Sequence, residues 1–233
     1  MNDVKTHRPI PLVLTTLIAV FSALVVLMVS GGHAAHAHGL AAPSGHAAHA
    51  HTISQKEFTL RTDMRKLWED HVTWTRLAVI SLTTGSPDTK ATVGRLLQNQ
   101  TDIGNAVKPF YGNAAGTRLT QLLKQHILIA ADLIAAAKAG DEAKTADAQA
   151  RWEANADSIA TFLSKANPQA WKLAATKAMM REHLRLTTNE VVARLKGHWN
   201  LDVAAYDKIH VQALHMADML SSGLVAQFPA RFK

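Results

Sequence analysis

Residues 67–85, LWEDHVTWTRLAVISLTTG, set His71 fourteen residues ahead of Gly85. The same interval recurs from His126 to Gly140 and from His183 to Gly197. The flanks align too: Glu69-Asp70-His71-Val72, Lys124-Gln125-His126-Ile127 and Arg181-Glu182-His183-Leu184 each run polar or charged pair, His, aliphatic. The histidines lie 55 and then 57 residues apart, so the period predicts one helical hairpin used three times. Asp102 and Asp157 each follow their glycine by 17 residues and Asp218 follows Gly197 by 21; the extra four are about one helical turn, which lengthens a helix without rotating its face.

Working outward, apolar residues from about Glu57 fall at spacings of three and four, the mark of amphipathic helices. Leu60, Met64, Leu67, His71, Trp74 and Ala78 share the first stripe, which Gly85 ends. A second helix runs to about Lys108 and closes at Pro109 to Gly112; a third ends at Gly140 and a fourth near Asn167-Pro168. A fifth reaches Gly197, and a sixth covers about Leu201 to Gln227. No convincing strand appears. The expectation is an all-α, up-and-down bundle of about six helices, built from three hairpin repeats over residues 54–233.

Ahead of the bundle, Leu12 through Ser30 form a run of apolar and small residues without a charge, preceded by Lys5, His7 and Arg8. This is the pattern of an N-terminal hydrophobic helix, either a membrane anchor or a signal peptide. Its length suits an anchor, and Ala35-His36-Ala37 suits cleavage, so both stay open. Either way the positive flank stays inside and the bundle goes to the periplasm or beyond, tethered to the inner membrane if uncleaved. Residues 31–53 form a linker of Gly, Ala, Pro, Ser and His, with too few large apolar groups to fold alone. It carries His-Ala-Ala-His-Ala-His twice, at His33, His36 and His38 and at His46, His49 and His51. Three imidazoles within six residues suit loose capture of Cu, Ni or Zn; the plainer alternative is a small-residue hinge.

The chain has 233 residues, a formal charge of +7 and no cysteine. Thiolate metal sites, disulfides and covalently attached haem of the CxxCH kind are therefore excluded. The basic residues are scattered, which argues against nucleic acid; attraction to anionic lipid headgroups is the simpler consequence. No nucleophile elbow, HExxH, P-loop or dinucleotide-binding glycine motif is present, so no feature argues for an enzyme. The protein partner, if there is one, leaves no signature.

Counted from the bends, His71 faces Gln100 and His126 faces Asn155, while His183 faces His210 at nearly the same height. Polar groups therefore stack in one layer at mid-bundle, and buried polar groups must be hydrogen-bonded or bound to something. One reading is a ring of His–amide hydrogen bonds that fixes helix register. The other is a nitrogen-rich transition-metal site formed by His71, His126, His183 and His210, with non-covalent haem on two histidines as a lesser alternative. His183 falls about 70° from the centre of its apolar face by the 3.6-residue period, which suggests a helix boundary. The di-iron carboxylate pattern is absent, since only Asp207-Lys208-Ile209-His210 and the reversed His215-Met216-Ala217-Asp218 approach it. Asp102, Asp157 and Asp218 point off the stripe and are expected in solvent, paired with Arg or Lys.

The segments LWEDHVTWTR (67–76), LQNQTDIGN (97–105) and HILIAADL (126–133) resemble a family of uncharacterised bacterial helical proteins over about residues 60–230. The resemblance implies a helical bundle and brings no activity or ligand with it. Some members carry a glycosyltransferase label, but this sequence lacks the nucleotide-binding α/β pattern and acidic metal motif of such an enzyme.

Overall fold

The structure is a computed structural model that describes residues 53–233. The hydrophobic segment at 12–30 and all six linker histidines lie outside the described residues. Among the described residues the fold is all-α, with five helices and no strand: α1 Gln55–Thr84, α2 Thr89–Ala139, α3 Glu142–Ala166, α4 Leu173–Leu195 and α5 Trp199–Gln227. A short 3-10 turn, Pro229–Phe232, follows.

Local chemistry sets the boundaries. The Ser54 hydroxyl accepts the Glu57 backbone N–H at the start of α1, and the Asp141 carboxylate accepts that of Lys144 at the start of α3. Gly85, Gly140 and Gly197, the three bends of the repeat, have φ of 74°, 73° and 70°, a left-handed conformation that side chains resist. Gly112 is the fourth such residue, at φ 81° and ψ 170° inside α2. It follows Pro109 and breaks that helix into two limbs. The limbs fold back on each other, because a Cβ added at Gly104 would come within 2.7 Å of the Gly116 carbonyl oxygen. The expected second bend is thus a break within one continuous helical stretch.

Neighbours in sequence pack side by side, and α5 closes the bundle against α1. Met64, Trp68, Leu119, Trp152, Leu184 and Ile209 build one continuous apolar core from every helix. Two further devices fix the arrangement. Trp171, in the α3–α4 turn, packs so closely on Gly223 that any side chain there would strike the indole, while Asn167 donates its amide to the Gly223 carbonyl at 2.9 Å. Toward the Gly85 and Gly197 bends, Arg76 of α1 binds Glu190 of α4 at 2.7 Å and also Asp202 of α5, which Arg194 holds at 2.9 Å. Glu190 and Asp202 are each 1% exposed. Burial pushes the Glu190 pKa up; it would also raise Asp202, but hydrogen bonds from Arg76 and Arg194 hold that carboxylate below its ordinary value.

Candidate functional site

His71 stands at the middle of α1, His126 in the second limb of α2, and His183 in α4. His126 and His183 are buried and His71 is half-buried. Each ring is held through Nδ1 by an amide 29 residues later on the facing helix: His71 by Gln100 Nε2 at 3.2 Å, His126 by Asn155 Oδ1 at 2.8 Å, His183 by Gln212 Oε1 at 3.1 Å. The first two pairs are those expected from the sequence. The third is a correction, because Gln212 takes the place assigned to His210. The count from the bend carried that signal: Gln100, Asn155 and Gln212 all stand fifteen residues past their glycine, whereas His210 stands thirteen past.

A second contact repeats with the first. An amide nitrogen reaches the backbone carbonyl four residues before each histidine: Asn99 Nδ2 to Leu67 at 3.0 Å, Asn155 Nδ2 to Leu122 at 3.2 Å and Gln212 Nε2 to Met179 at 3.3 Å. In the second and third hairpins one amide makes both contacts, so its oxygen faces the ring. In the first hairpin Asn99 meets the carbonyl and also bears on the ring, which Gln100 approaches as well. Asn99 and Gln100 are both 0% exposed. Sequence reasoning singled out Gln100 but passed over Asn99.

The three rings meet. His183 is the middle member, its ring centre 6.0 Å from that of His71 and 6.2 Å from that of His126. Trp152 flanks His126 at 5.3 Å. His126 Nε2, Gln100 Oε1 and Trp152 Nε1 are buried and have no hydrogen-bond partner among protein groups. Burial lowers the pKa of all three rings, and neighbouring imidazoles reinforce it in two. His71 and His126 are pushed down to about 3, against partial opposition from Asn99 and Asn155, and His183 moves the same way. At neutral pH the layer is uncharged, the form in which imidazole ligates metals.

His183 also corrects the periodicity argument. It is 5% exposed and lies well inside α4. A 70° offset matters little for a helix whose neighbours cover several sides. His210 leaves the layer altogether: its Nε2 pairs with Glu69 at 2.7 Å on a partly exposed surface, against Tyr206. Asp218 binds Arg65 at 2.6 Å and Asp157 binds Lys177 at 2.8 Å, as expected for the off-stripe aspartates; Asp102 accepts from Gln98. Met180 and Met216 are core residues.

Among the described residues no group of three or more His, Asp or Glu side chains is placed so as to hold a metal ion. Nor is any helix there long and apolar enough to cross a membrane. No family model, curated protein or solved structure matches the chain.

Proposed function

We propose that the chain is an exported or membrane-tethered helical bundle that binds one divalent transition metal ion, Cu, Zn or Ni, through His71, His126 and His183. The observation that carries the reading is the repeated His–amide pair. Imidazoles that ligate metals donate their other ring N–H to a fixed acceptor, and here His126 and His183 face the Asn155 and Gln212 amide oxygens in that way, with His71 beside them against the Gln100 and Asn99 amides. Metal–nitrogen bonds of about 2.0–2.1 Å around a tetrahedral centre set ring centres about 5.1 Å apart. Loading therefore draws the rings together by about 1 Å. The linker histidines, His33 to His51, would gather ions near the bundle, and the hydrophobic segment at 12–30 would place both outside the cytoplasmic membrane.

The ring separations of 6.0 and 6.2 Å favour a second reading, a non-enzymatic envelope module whose polar layer only sets helix register. Metal analysis separates the two. The six linker histidines are first changed to serine, so that only the bundle can respond. The metal reading expects one equivalent of metal per chain and its loss in the His71→Ala, His126→Ala double variant. No metal above background in the parent protein would leave the register layer, and a Soret band would point to haem.

A further inference from the structure

The basic residues are scattered along the sequence but gathered at one end of the folded bundle. Val79, Ile134 and Val191, each eight residues past its histidine, form one apolar layer, and Lys138 reaches from the second bend to the Leu82 carbonyl beside the first. The Gly85, Gly140 and Gly197 bends therefore share one end, and residues 53–66, 108–118, 165–177 and 218–233 share the other. Contacts close that second end: Lys56 Nζ donates to the Lys233 carbonyl at 3.0 Å, Arg231 to the Pro109 carbonyl at 2.7 Å and Gln227 to the Ala166 carbonyl at 3.0 Å.

These four stretches carry eleven lysines and arginines against three acidic side chains, whereas the rest of the described residues carry twelve against fourteen. Two of the three acids are already neutralised. Glu57 is buried and bound to Arg61 at 2.7 Å, and Asp218 is bound to Arg65 at 2.6 Å. Lys56, Lys165, Lys172 and Lys233 are exposed. Apolar groups stand among them: Ile53, Phe58 and Leu173 are 44%, 50% and 43% exposed. Trp199 and Leu201 are exposed near the Gly197 bend, but no excess of positive charge accompanies them there. The chain also enters the bundle at the basic end, so the hydrophobic segment at 12–30 is tied to this end and not to the bends.

We infer that the Ser54 end of the bundle is a membrane-docking face that lies on anionic phospholipid. Lys56, Lys165, Lys172 and Lys233 meet the headgroup phosphates, and Phe58 and Leu173 enter the interface. Nucleic acid would attract the same cations, but exposed aliphatic and aromatic groups between the lysines match a lipid surface, where apolar groups are taken up beneath the charged layer. The inference rests on the membrane-tethered part of the reading above and adds which face turns to the bilayer; it does not depend on metal.

The chain has no cysteine, so a single one introduced as Ala170→Cys, beside Lys172, or as Asn200→Cys, beside Trp199, reports one end of the bundle. Each full-length protein, carrying a fluorophore on that cysteine, is reconstituted into phosphatidylcholine vesicles with or without phosphatidylglycerol, together with a lipid-borne quencher. The Ala170→Cys label should be quenched only where phosphatidylglycerol is present, and should recover as salt is raised to about 1 M. The Asn200→Cys label should stay unquenched on both. Each lysine near an anionic surface is worth about a fivefold factor, so Lys165→Gln with Lys172→Gln should weaken docking about 25-fold. Should that double variant misfold, the salt dependence of the parent label decides alone. Equal quenching of the Ala170→Cys label on both vesicles would overturn the inference, as would quenching of the Asn200→Cys label in its place. Retention on a DNA duplex at about 0.15 M salt without quenching on the mixed vesicles would also overturn it, assigning the basic end to nucleic acid. Flotation with the neutral vesicles tests the tether separately: protein that fails to float with them sinks the tether, while quenching by added mixed vesicles still decides the docking face.

Discussion

Gln212 and His210 are two residues apart on α5 and were separated only by their surroundings. Gln212 supplies the oxygen that satisfies His183 Nδ1, whereas His210 makes a partly exposed hydrogen bond with Glu69. Removing one partner of a buried hydrogen bond costs about 1–3 kcal/mol, so Gln212→Ala should destabilise the protein by that amount. His210→Ala should cost less than about 1 kcal/mol, as exposed pairs usually do. Urea denaturation of both variants measures the difference, and an equal or reversed order would mean that the His183–Gln212 bond contributes nothing. The sequence contained the answer in the count from Gly197. Chemical preference for a second imidazole obscured it, since an amide and an imidazole look equally plausible until geometry chooses between them.

At the scale of elements, the helices are joined by two different kinds of contact. The mid-bundle layer pairs the two arms within each hairpin. The Arg76 cluster instead ties α1 to α4 and α5, which are remote in sequence. Its carboxylates are almost fully buried, so they are tolerable only while paired. Arg76→Met should therefore cost about 3–5 kcal/mol, chiefly by leaving Glu190 and Asp202 short of a partner. Thermal and chemical denaturation would reveal it, and a loss below about 1 kcal/mol would show that Arg194 compensates. Nothing in the local sequence around Arg76 announced this role. An arginine on a helix reads as a solvated face until tertiary packing brings Glu190 and Asp202 to it from 114 and 126 residues away.

For the molecule as a whole, the three neutral histidines couple folding to pH. Their pKa values lie below the ordinary 6.5 in the folded state, at about 3 for His71 and His126, and recover on unfolding. Below pH 6.5 the unfolded chain thus binds more protons than the folded one, so stability is complete above that pH and is lost progressively as pH falls toward 3. His71 and His126 each contribute on the order of 1.4 kcal/mol per pH unit in that window, and His183 acts in the same direction. Replacing His126 with leucine should make the urea midpoint less dependent on pH between 6.5 and 4. An unchanged slope would mean that the ring is already accessible to protons.

The sequence by itself determined the helical class and the three left-handed bends, together with the pairing of His71 with Gln100 and of His126 with Asn155. These are local or near-local properties: periodicity, glycine at positive φ and fixed helical rise leave little freedom inside one hairpin. Only the tertiary structure decided which residues from different hairpins share a depth. It put His183 in the layer despite its offset, sent His210 to the surface and gathered the Arg76 cluster. Relations between hairpins depend on how side chains interlock across helix faces, and that choice is made by the packed core as a unit.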